Sequence, residues 1–472
     1  MTILDEIAEK TRERVAEAKR TCPDPSQAAG GVPVLRRRDI PGGVSTMEPF
    51  AFEKALRAPG LSFICEVKKA SPSKGLIAPY FPYTEIAQDY DNAGASCISC
   101  LTEPYWFKGS NKYLTEIRRV TDIPILRKDF TVDEYMIREA KAIGADAVLL
   151  ICSILDPVQL RDFRQLADSL GLSAIFEAHN AEEIRMAADA GARIIGVNNR
   201  NLKDFTVDTR HAGELRNLVP EGTIFISESG VKGRDDIRSA EAMRADAVLV
   251  GETLMRARNK GRRLMELSGR PVKVKICGLM SDNDIKLVNE LKPDYAGFVF
   301  ANTRHRITAE KAAALKAKLD PGIKAVGVFV DEDENVVIDL LRRGIIDLAQ
   351  LHGHETDDVA GRIRSATGKR VIKAVVMKDA SSAEVRFPSA DFMLFDAGRG
   401  SGRTFNWNYL NDRLPERPFF LAGGLSPDNV ADAVRKVRPF AVDVSSGVED
   451  GETGKSYEKM KAFIENARSV HD

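Results

Sequence analysis

Eight short apolar runs alternate with amphipathic stretches along the first half of this chain, and the same eightfold alternation then begins again. The first set lies at 62–67, 96–101, 124–127, 147–151, 174–177, 194–198, 223–227 and 247–250. Between them, segments such as 132–143, 157–170 and 181–190 carry apolar residues at helical spacing. Several close on Gly-Ala-Asp or Gly-Ala-Arg, a helix stop leading straight into the next run. Runs that are apolar throughout suit strands buried on both faces, the condition of a parallel sheet flanked by helices. Eight such units are what a (β/α)8 barrel requires. The second set lies at 272–276, 295–300, 325–330, 347–351, 371–376, 392–395, 419–422 and 441–444, with helices at 281–291, 308–319, 336–343 and 427–437. The pattern predicts an α/β chain of two tandem (β/α)8 TIM barrels, over 1–258 and 272–472. The basic stretch 256–270 reads as the end of a helix plus a linker over 259–271. An open doubly wound sheet is the competing architecture, but it rarely repeats so regularly to eight and restarts.

Charge narrows the partners. Lys and Arg number 69 and Asp and Glu 69, so the formal net charge of zero points neither to nucleic acid nor to an anionic membrane surface. The cysteines, at 22, 65, 97, 100, 152 and 277, do not form a disulfide framework. Cys97 and Cys100 have CxxC spacing, but on a strand they face opposite sides. The amino terminus is an amphipathic helix carrying Ile3, Leu4, Ile7, Val15 and Ala18, with acidic residues that a signal or transit peptide would lack. No apolar run approaches the roughly 18 residues of a spanning helix. The expectation is a soluble, cytoplasmic monomer acting on small molecules. The Pro- and Gly-rich stretch 21–46 reads as a long loop of the kind that is often functional.

The chemistry should lie where strands end, because in such barrels the catalytic residues sit at the carboxyl ends and phosphate on the loops after strands 7 and 8. Glu66 and Lys68 are two residues apart on an apolar strand and so share a face, where neither charge is tolerated unless paired or used. The Ser71-Pro72-Ser73-Lys74-Gly75 turn beyond them suits an anion. Later strand ends add Lys128, Glu177, Asn198 and Arg200. The turns Ser227-Glu228-Ser229-Gly230 and Gly251-Glu252-Thr253 read as a phosphate cup, with Glu228 counted among the substrate and phosphate contacts. His179 reads as a loop histidine. In the second half, Cys277 closes the first strand and Asp396 precedes a glycine-rich loop at 398–402. Gly423-Gly424 and Ser445-Ser446-Gly447 read as phosphate turns. His352 and His354 form an HxH with no further ligands clustered beside it, so no metal is expected.

The blocks EVKKASPSKG, LRKDF, FEAHNAEE, GVNNRNL, SESGV and VLVGETLM make the first half similar to indole-3-glycerol-phosphate synthase over nearly its whole length. The resemblance implies ring closure of 1-(o-carboxyphenylamino)-1-deoxyribulose 5-phosphate with loss of CO₂ and water. It implies Lys128 as general acid, Glu177 as base or stabiliser of the cationic intermediate, and Lys68, held by Glu66, at the departing carboxylate. Which lysine acts in which step stays open. Asn198 joins the catalytic set. Ser71, Arg200, Ser229, Gly230 and Gly251 take the substrate and its phosphate, and Trp106, Phe107 and Phe130 offer an apolar wall for the anthranilate ring.

KICGL, QLHGHE, FDAGRGSGRTFNW, LAGGL and VDVSSGVE give the second half a resemblance to phosphoribosylanthranilate isomerase. The implied reaction is an Amadori rearrangement of an amino sugar. Asp396, protonated, would open the ring at its oxygen, and Cys277, as thiolate, would remove the C2′ proton. His352, Gly423, Gly424, Ser445, Ser446 and Gly447 fall in the substrate-binding set. The family's Ser-x-Arg turn is departed from at Thr303-Arg304-His305-Arg306. Arg306 aligns with the carboxylate-binding arginine, and Arg304 replaces the serine. Together the halves read as a bifunctional enzyme of tryptophan biosynthesis without cofactor or metal. The competing readings are a pentose-phosphate epimerase, a Schiff-base aldolase using Lys68 or Lys128, and a phosphometabolite-binding scaffold.

Overall fold

The computed structural model describes residues 2–27, 48–201, 205–398, 404–411, 417–451 and 454–470. Most of the expected 21–46 loop and of the glycine-rich 398–402 loop lie outside them. The chain splits into two compact units, the break falling after Ser268.

The first unit is a closed parallel barrel of β1 (Ser62–Val67), β2 (Cys97–Leu101), β3 (Ile125–Lys128), β4 (Ala147–Ile151), β5 (Ser173–Ala178), β6 (Ile194–Asn198), β7 (Ile224–Glu228) and β8 (Ala247–Val250). The second closes in the same way from β9 (Lys273–Cys277), β10 (Tyr295–Val299), β11 (Lys324–Phe329), β12 (Leu348–Leu351), β13 (Arg370–Val376), β14 (Phe392–Asp396), β15 (Phe419–Leu421) and β16 (Ala441–Val444). All sixteen runs expected from the pattern are strands.

Period-2 alternation sorts the side chains into two cores. In the first barrel Ile64, Leu126, Ile175, Ile194, Ile224 and Ile226 pack inside, while Cys65, Ile98, Phe176, Ile195 and Phe225 pack outward under the helices. Cys97 lies in the inner core and Cys100 in the outer, so the CxxC pair cannot converge. The short helix Ala51–Leu56 closes the amino-terminal end of the barrel with Phe52 and Leu56.

An aspartate just ahead of a strand has a use of its own. Asp146 accepts from Ile125 N at 2.9 Å and Asp246 from Phe225 N at 2.7 Å, each bonding the start of the preceding strand. Asp294, Asp347 and Asp391 repeat this on Val274, Ala325 and Val371 in the second barrel. These N–H groups at the barrel floor would otherwise be buried unpaired.

Two features depart from expectation. The 259–271 segment is not a linker: Lys260–Ser268 is a helix whose Leu264 and Leu267 are buried in the first barrel's outer core. Its basic residues are compatible with this because Arg262 and Arg263 both pair with Glu266. The N-terminal helix Ile3–Thr21 is docked at the carboxyl-end mouth, where Ile7 joins the inner core and Arg14 pairs with Asp129 at 2.8 Å.

Candidate active sites

The first mouth is assembled by register. Glu66 on β1, Lys128 on β3, Glu177 on β5, Asn198 on β6 and Glu228 on β7 each stand in the last two residues of a strand, on the inward-facing parity set by the aliphatic residues below. Asn198 and Glu228 are direct cross-strand neighbours. Lys128 Nζ lies 2.6 Å from Glu228 Oε2 and 3.5 Å from Glu177 Oε2, and Asn198 Nδ2 donates to Glu177 Oε1 at 3.1 Å. Lys68 and Glu66 form their own ion pair. Gly196 leaves the space that Glu228 fills, and Gly251 the space for the Glu66–Lys68 pair. Lys68, Lys128 and Glu177 thus line one cavity of about 620 Å³.

Burial and pairing divide the proton affinities in this cluster. Burial works against the charge of Lys128, yet Glu228, Glu177 and Glu66 hold its pKa above the ordinary lysine value. Burial also opposes ionisation of Glu177, but Lys128, His179 and Asn198 keep that carboxyl below its usual range. Glu228 goes the other way: burial and the nearby charge of Glu177 outweigh Lys128 and push it up. Two carboxyls against one ammonium therefore differ in proton affinity, the division an acid–base site needs.

Ser71, Arg200, Ser229, Gly230 and Gly251 line the same cavity. Arg200 is steadied by the Phe205 carbonyl at 3.2 Å, and Gly230 turns with φ of 96°. Phe107 and Phe130 form an apolar wall with ring centroids 6.4 Å apart. Trp106 packs on the inner core but does not line the cavity. The loop carrying Phe107 is held by Glu103, which accepts from the backbone N–H of Tyr105, Trp106 and Phe107 at 2.7, 2.8 and 2.9 Å.

In the second mouth Lys275 and Cys277 share the inward face of β9. Lys275, fully buried, donates to Asp443 Oδ2 at 2.8 Å on the neighbouring β16. Burial pushes the Cys277 thiol up, with Lys275 pulling partly against it. Asp396 ends β14 facing inward, with His352 Nε2 at 3.4 Å from its Oδ2 and the Gly398 N–H donating at 2.9 Å. Burial opposes its charge, but the His352 hydrogen bond holds the carboxyl below its usual range. Cys277 and Asp396 each end a parallel strand of the same closed barrel, so the two groups share one mouth. Of the phosphate turns, Gly423 has φ of 86° and packs against Ala397, and Gly447 packs against the Leu425 carbonyl. Ser445 and Ser446 lie in the turn that leads into Gly447, and Lys455 Nζ donates to the Ser445 carbonyl at 3.0 Å.

Several sequence assignments change. Glu228 leaves the phosphate end for the acid–base cluster, because the alternation after Ile224 and Ile226 turns it inward. His179 is no plain loop residue: its Nε2 lies 3.5 Å from Glu177 and its Nδ1 3.2 Å from Glu183. His352 and His354 part company, His354 going to Asp331 at 3.0 Å. The local environment runs against the protonation implied for the second mouth: burial favours a neutral Cys277 thiol, and His352 favours an ionised Asp396. Ile3, Leu4 and Ile7 line the first cavity, a role sequence reading missed because amphipathicity gives a helix a buried face without naming what covers it. The Lys275–Asp443 pair was also missed, although Lys275 stands two residues before Cys277 on the same face. Arg304 is committed to Glu449 at 2.5 Å, whereas the exposed Arg306 has no ion-pair partner among the described residues.

The family model for indole-3-glycerol phosphate synthase matches residues 4–267, and that for N-(5'phosphoribosyl)anthranilate (PRA) isomerase matches 274–466. An indole-3-glycerol phosphate synthase of Ruminiclostridium cellulolyticum is 49% identical over 267 residues, 57% of this chain and 99% of that protein. A multifunctional tryptophan biosynthesis protein of Phycomyces blakesleeanus is 35% identical over 487 residues, spanning 87% of this chain and 63% of that protein. The solved phosphoribosyl anthranilate isomerase of Thermotoga maritima is 35% identical, covering 42% of this chain and all of that chain, with a TM-score of 0.39.

Proposed function

We propose how two mouths divide the work in a chain that belongs to the indole-3-glycerol phosphate synthase family over its first half and carries a phosphoribosylanthranilate isomerase domain over its second. The chain is a bifunctional enzyme of tryptophan biosynthesis. The second barrel converts N-(5-phosphoribosyl)anthranilate to 1-(o-carboxyphenylamino)-1-deoxyribulose 5-phosphate, and the first closes the indole ring on that product.

In our reading Lys128 protonates the ketone oxygen as the aromatic ring attacks, and Glu177, kept ionised, takes the proton from C1′ as water leaves. Lys68, paired with Glu66, receives the departing carboxylate. Glu228 holds Lys128 in place and is the group on which a shared proton rests. The convergence of Lys128 on Glu177 and Glu228 at 3.5 and 2.6 Å carries this reading. In the second mouth Asp396 donates to the ring oxygen and Cys277 removes the C2′ proton, each from its own side of the sugar. Arg306 binds the anthranilate carboxylate, a role favoured by the commitment of Arg304 to Glu449. The phosphate rests on Gly423, Gly424, Ser445, Ser446 and Gly447.

The test uses the whole chain, treated with a chelator and supplied with phosphoribosylanthranilate. Indole-3-glycerol phosphate and CO₂ should form, and Lys128→Ala should stop at the rearranged ketose. Loss of both steps in Lys128→Ala would count against separate sites. No helix among the described residues is long and apolar enough to cross a membrane. A cytoplasmic monomer fits the balanced charge, and sedimentation at assay concentration would expose a stable oligomer.

A further inference from the structure

The ring closure has a proton balance that the groups named so far do not close. A carboxylate leaves as neutral CO₂ and the ketone oxygen leaves as water. That oxygen gains two protons, C1′ returns one, and one proton must enter from solvent in each turnover. The main mouth is occupied by substrate while this happens, so the site needs a second supply.

His179 stands where such a supply would run. Its Nε2 faces Glu177 Oε1 at 3.5 Å and is otherwise buried without a hydrogen-bond partner. Its Nδ1 faces Glu183 Oε2 at 3.2 Å, and the same carboxylate accepts the His179 backbone N–H at 2.8 Å. On the far side lies a second, open cavity of about 540 Å³, whose walls include His179, Glu183, Asp5, Asp208 and His211. Asn198 and Arg200 line both cavities, so the imidazole belongs to the wall between them.

We propose that His179 is the proton inlet of the first barrel, relaying a proton from the side cavity to Glu177. This rests on the synthase reading of Glu177 given above. Water in the side cavity protonates Nδ1 by way of Glu183, hydroxide returns to the buffer, and the proton leaves from Nε2 to Glu177 Oε1. Glu177 passes it through Lys128, 3.5 Å from its Oε2, to the ketone oxygen, and once ionised again carries the C1′ proton to the same oxygen as water leaves. His179 acts through Glu177 and does not touch the substrate, so it is a positioning and relay residue.

The groups facing the imidazole support a protonated form. Glu177 lies on β5 just before it, Glu183 on the following helix and Glu228 on β7. His211 Nε2 hydrogen-bonds the His179 carbonyl at 2.8 Å. Burial opposes the charge, but Glu183, Glu177 and Glu228 together raise the pKa of His179 above its ordinary value. Lys128 stands beyond Glu177, and the Cys152 thiol, pushed up to about 12 by burial and by Glu183 and Glu177, is no competing donor. Arg200 and Asp5 complete the charges on the side cavity's wall.

The test compares the full chain with His179→Ala and His179→Asn, each assayed separately for ring closure and for isomerisation. His179→Ala should lower synthase kcat by about tenfold or more, the deficit growing as pH rises, with KM changed less than twofold. Imidazole in the buffer should restore kcat saturably, in proportion to its protonated form. His179→Asn should show the same loss, because it keeps a donor toward Glu183 but carries no proton, and it should resist rescue because the amide fills the space. Isomerase activity in the same samples reports that the chain is intact. A His179→Ala pH profile matching the wild type would overturn the relay, as would a loss that imidazole leaves untouched. Failure of the wild-type chain to close the ring would instead sink the synthase reading itself.

Discussion

Gly251→Ala should silence the first barrel without touching the second. The backbone tolerates the change, since Gly251 has φ of −114°, within reach of any residue. The obstacle is the side-chain space. A Cβ there would stand 3.0 Å from Lys68 Nζ and far inside contact distance of Glu66 Oε1. Non-bonded heavy atoms settle near about 3.5 Å, so the Glu66 carboxylate must withdraw by about 1 Å and carry Lys68 with it. A displacement of about 1 Å in a catalytic set typically costs about 100-fold, which is about 2.7 kcal/mol of barrier. Stability should fall by only about 1–3 kcal/mol, the usual range for overpacking by a methyl group. Both activities are read from one preparation: ring closure from indole-3-glycerol phosphate formation on supplied ketose, isomerisation from loss of phosphoribosylanthranilate. The ratio of the two rates is independent of protein concentration and should drop about 100-fold. A ratio within twofold of the wild type would refute the argument that the Gly251 gap exists to seat the Glu66–Lys68 pair. A parallel fall in both rates would show a folding defect in its place.

Arg306→Ala should raise the isomerase KM by about 10- to 100-fold with little change in kcat, the loss of one charge-assisted hydrogen bond to a carboxylate. Arg304→Ala should do less, because Arg304 is spent on Glu449; a larger effect at 304 in steady-state kinetics would reverse the assignment. Lys275→Met removes the cation that pulls down the Cys277 thiol. A thiolate base gains activity as pH rises through its pKa, so the limb of the isomerase pH profile should move further alkaline in Lys275→Met, and an acid shift would deny Cys277 the base role. Glu228→Gln takes the nearest carboxylate from Lys128, whose pKa should fall toward the ordinary value because Glu228 is the foremost group raising it against burial. Where deprotonation of Lys128 ends ring closure, the alkaline limb of synthase kcat should then lie at lower pH, and an unmoved limb would deny the pairing a catalytic part.

The strands were legible because burial on both faces leaves little room for polar residues between the turn signals. The same rule exposed Glu66 and Lys68, charges that no buried strand carries without a use. Glu228 obeyed it equally, standing in step with Ile224 and Ile226, but its neighbours Ser229 and Gly230 look like a phosphate turn and drew it to the wrong end. The Lys260–Ser268 helix was hidden by its arginines, whose charges Glu266 balances, while Leu264 and Leu267 supplied only a short apolar stripe. His179 could not be found by spacing alone. Its place between Glu177 and Glu183 depends on how the following helix returns to the barrel rim, and the side cavity is made by segments as distant in sequence as Asp5 and His211.

Protonation is the property furthest from the sequence, and the two mouths handle it in opposite ways through the same residue type. Beside Glu177, the protonated form of His179 favours the ionised carboxylate, the form the proposed base requires, and regains that effect each time the imidazole is reprotonated from its Glu183 side. Beside Asp396, His352 also favours the ionised carboxylate, yet the ring opening proposed for Asp396 requires the acid. Burial thus favours the proton on Cys277, whereas the proposed reaction starts with it on Asp396, and the two arrangements do not differ in total charge. A proton exchanged inside one mouth needs no supply from solvent, only a change of partners. A sugar ring oxygen that takes the place of His352 against Asp396 removes the hydrogen bond holding that carboxyl ionised. A thiolate facing Lys275 gains the attraction that a neutral thiol forgoes. On the proposed roles, the histidine contact in the second barrel breaks for chemistry to start, whereas in the first it lasts through the cycle.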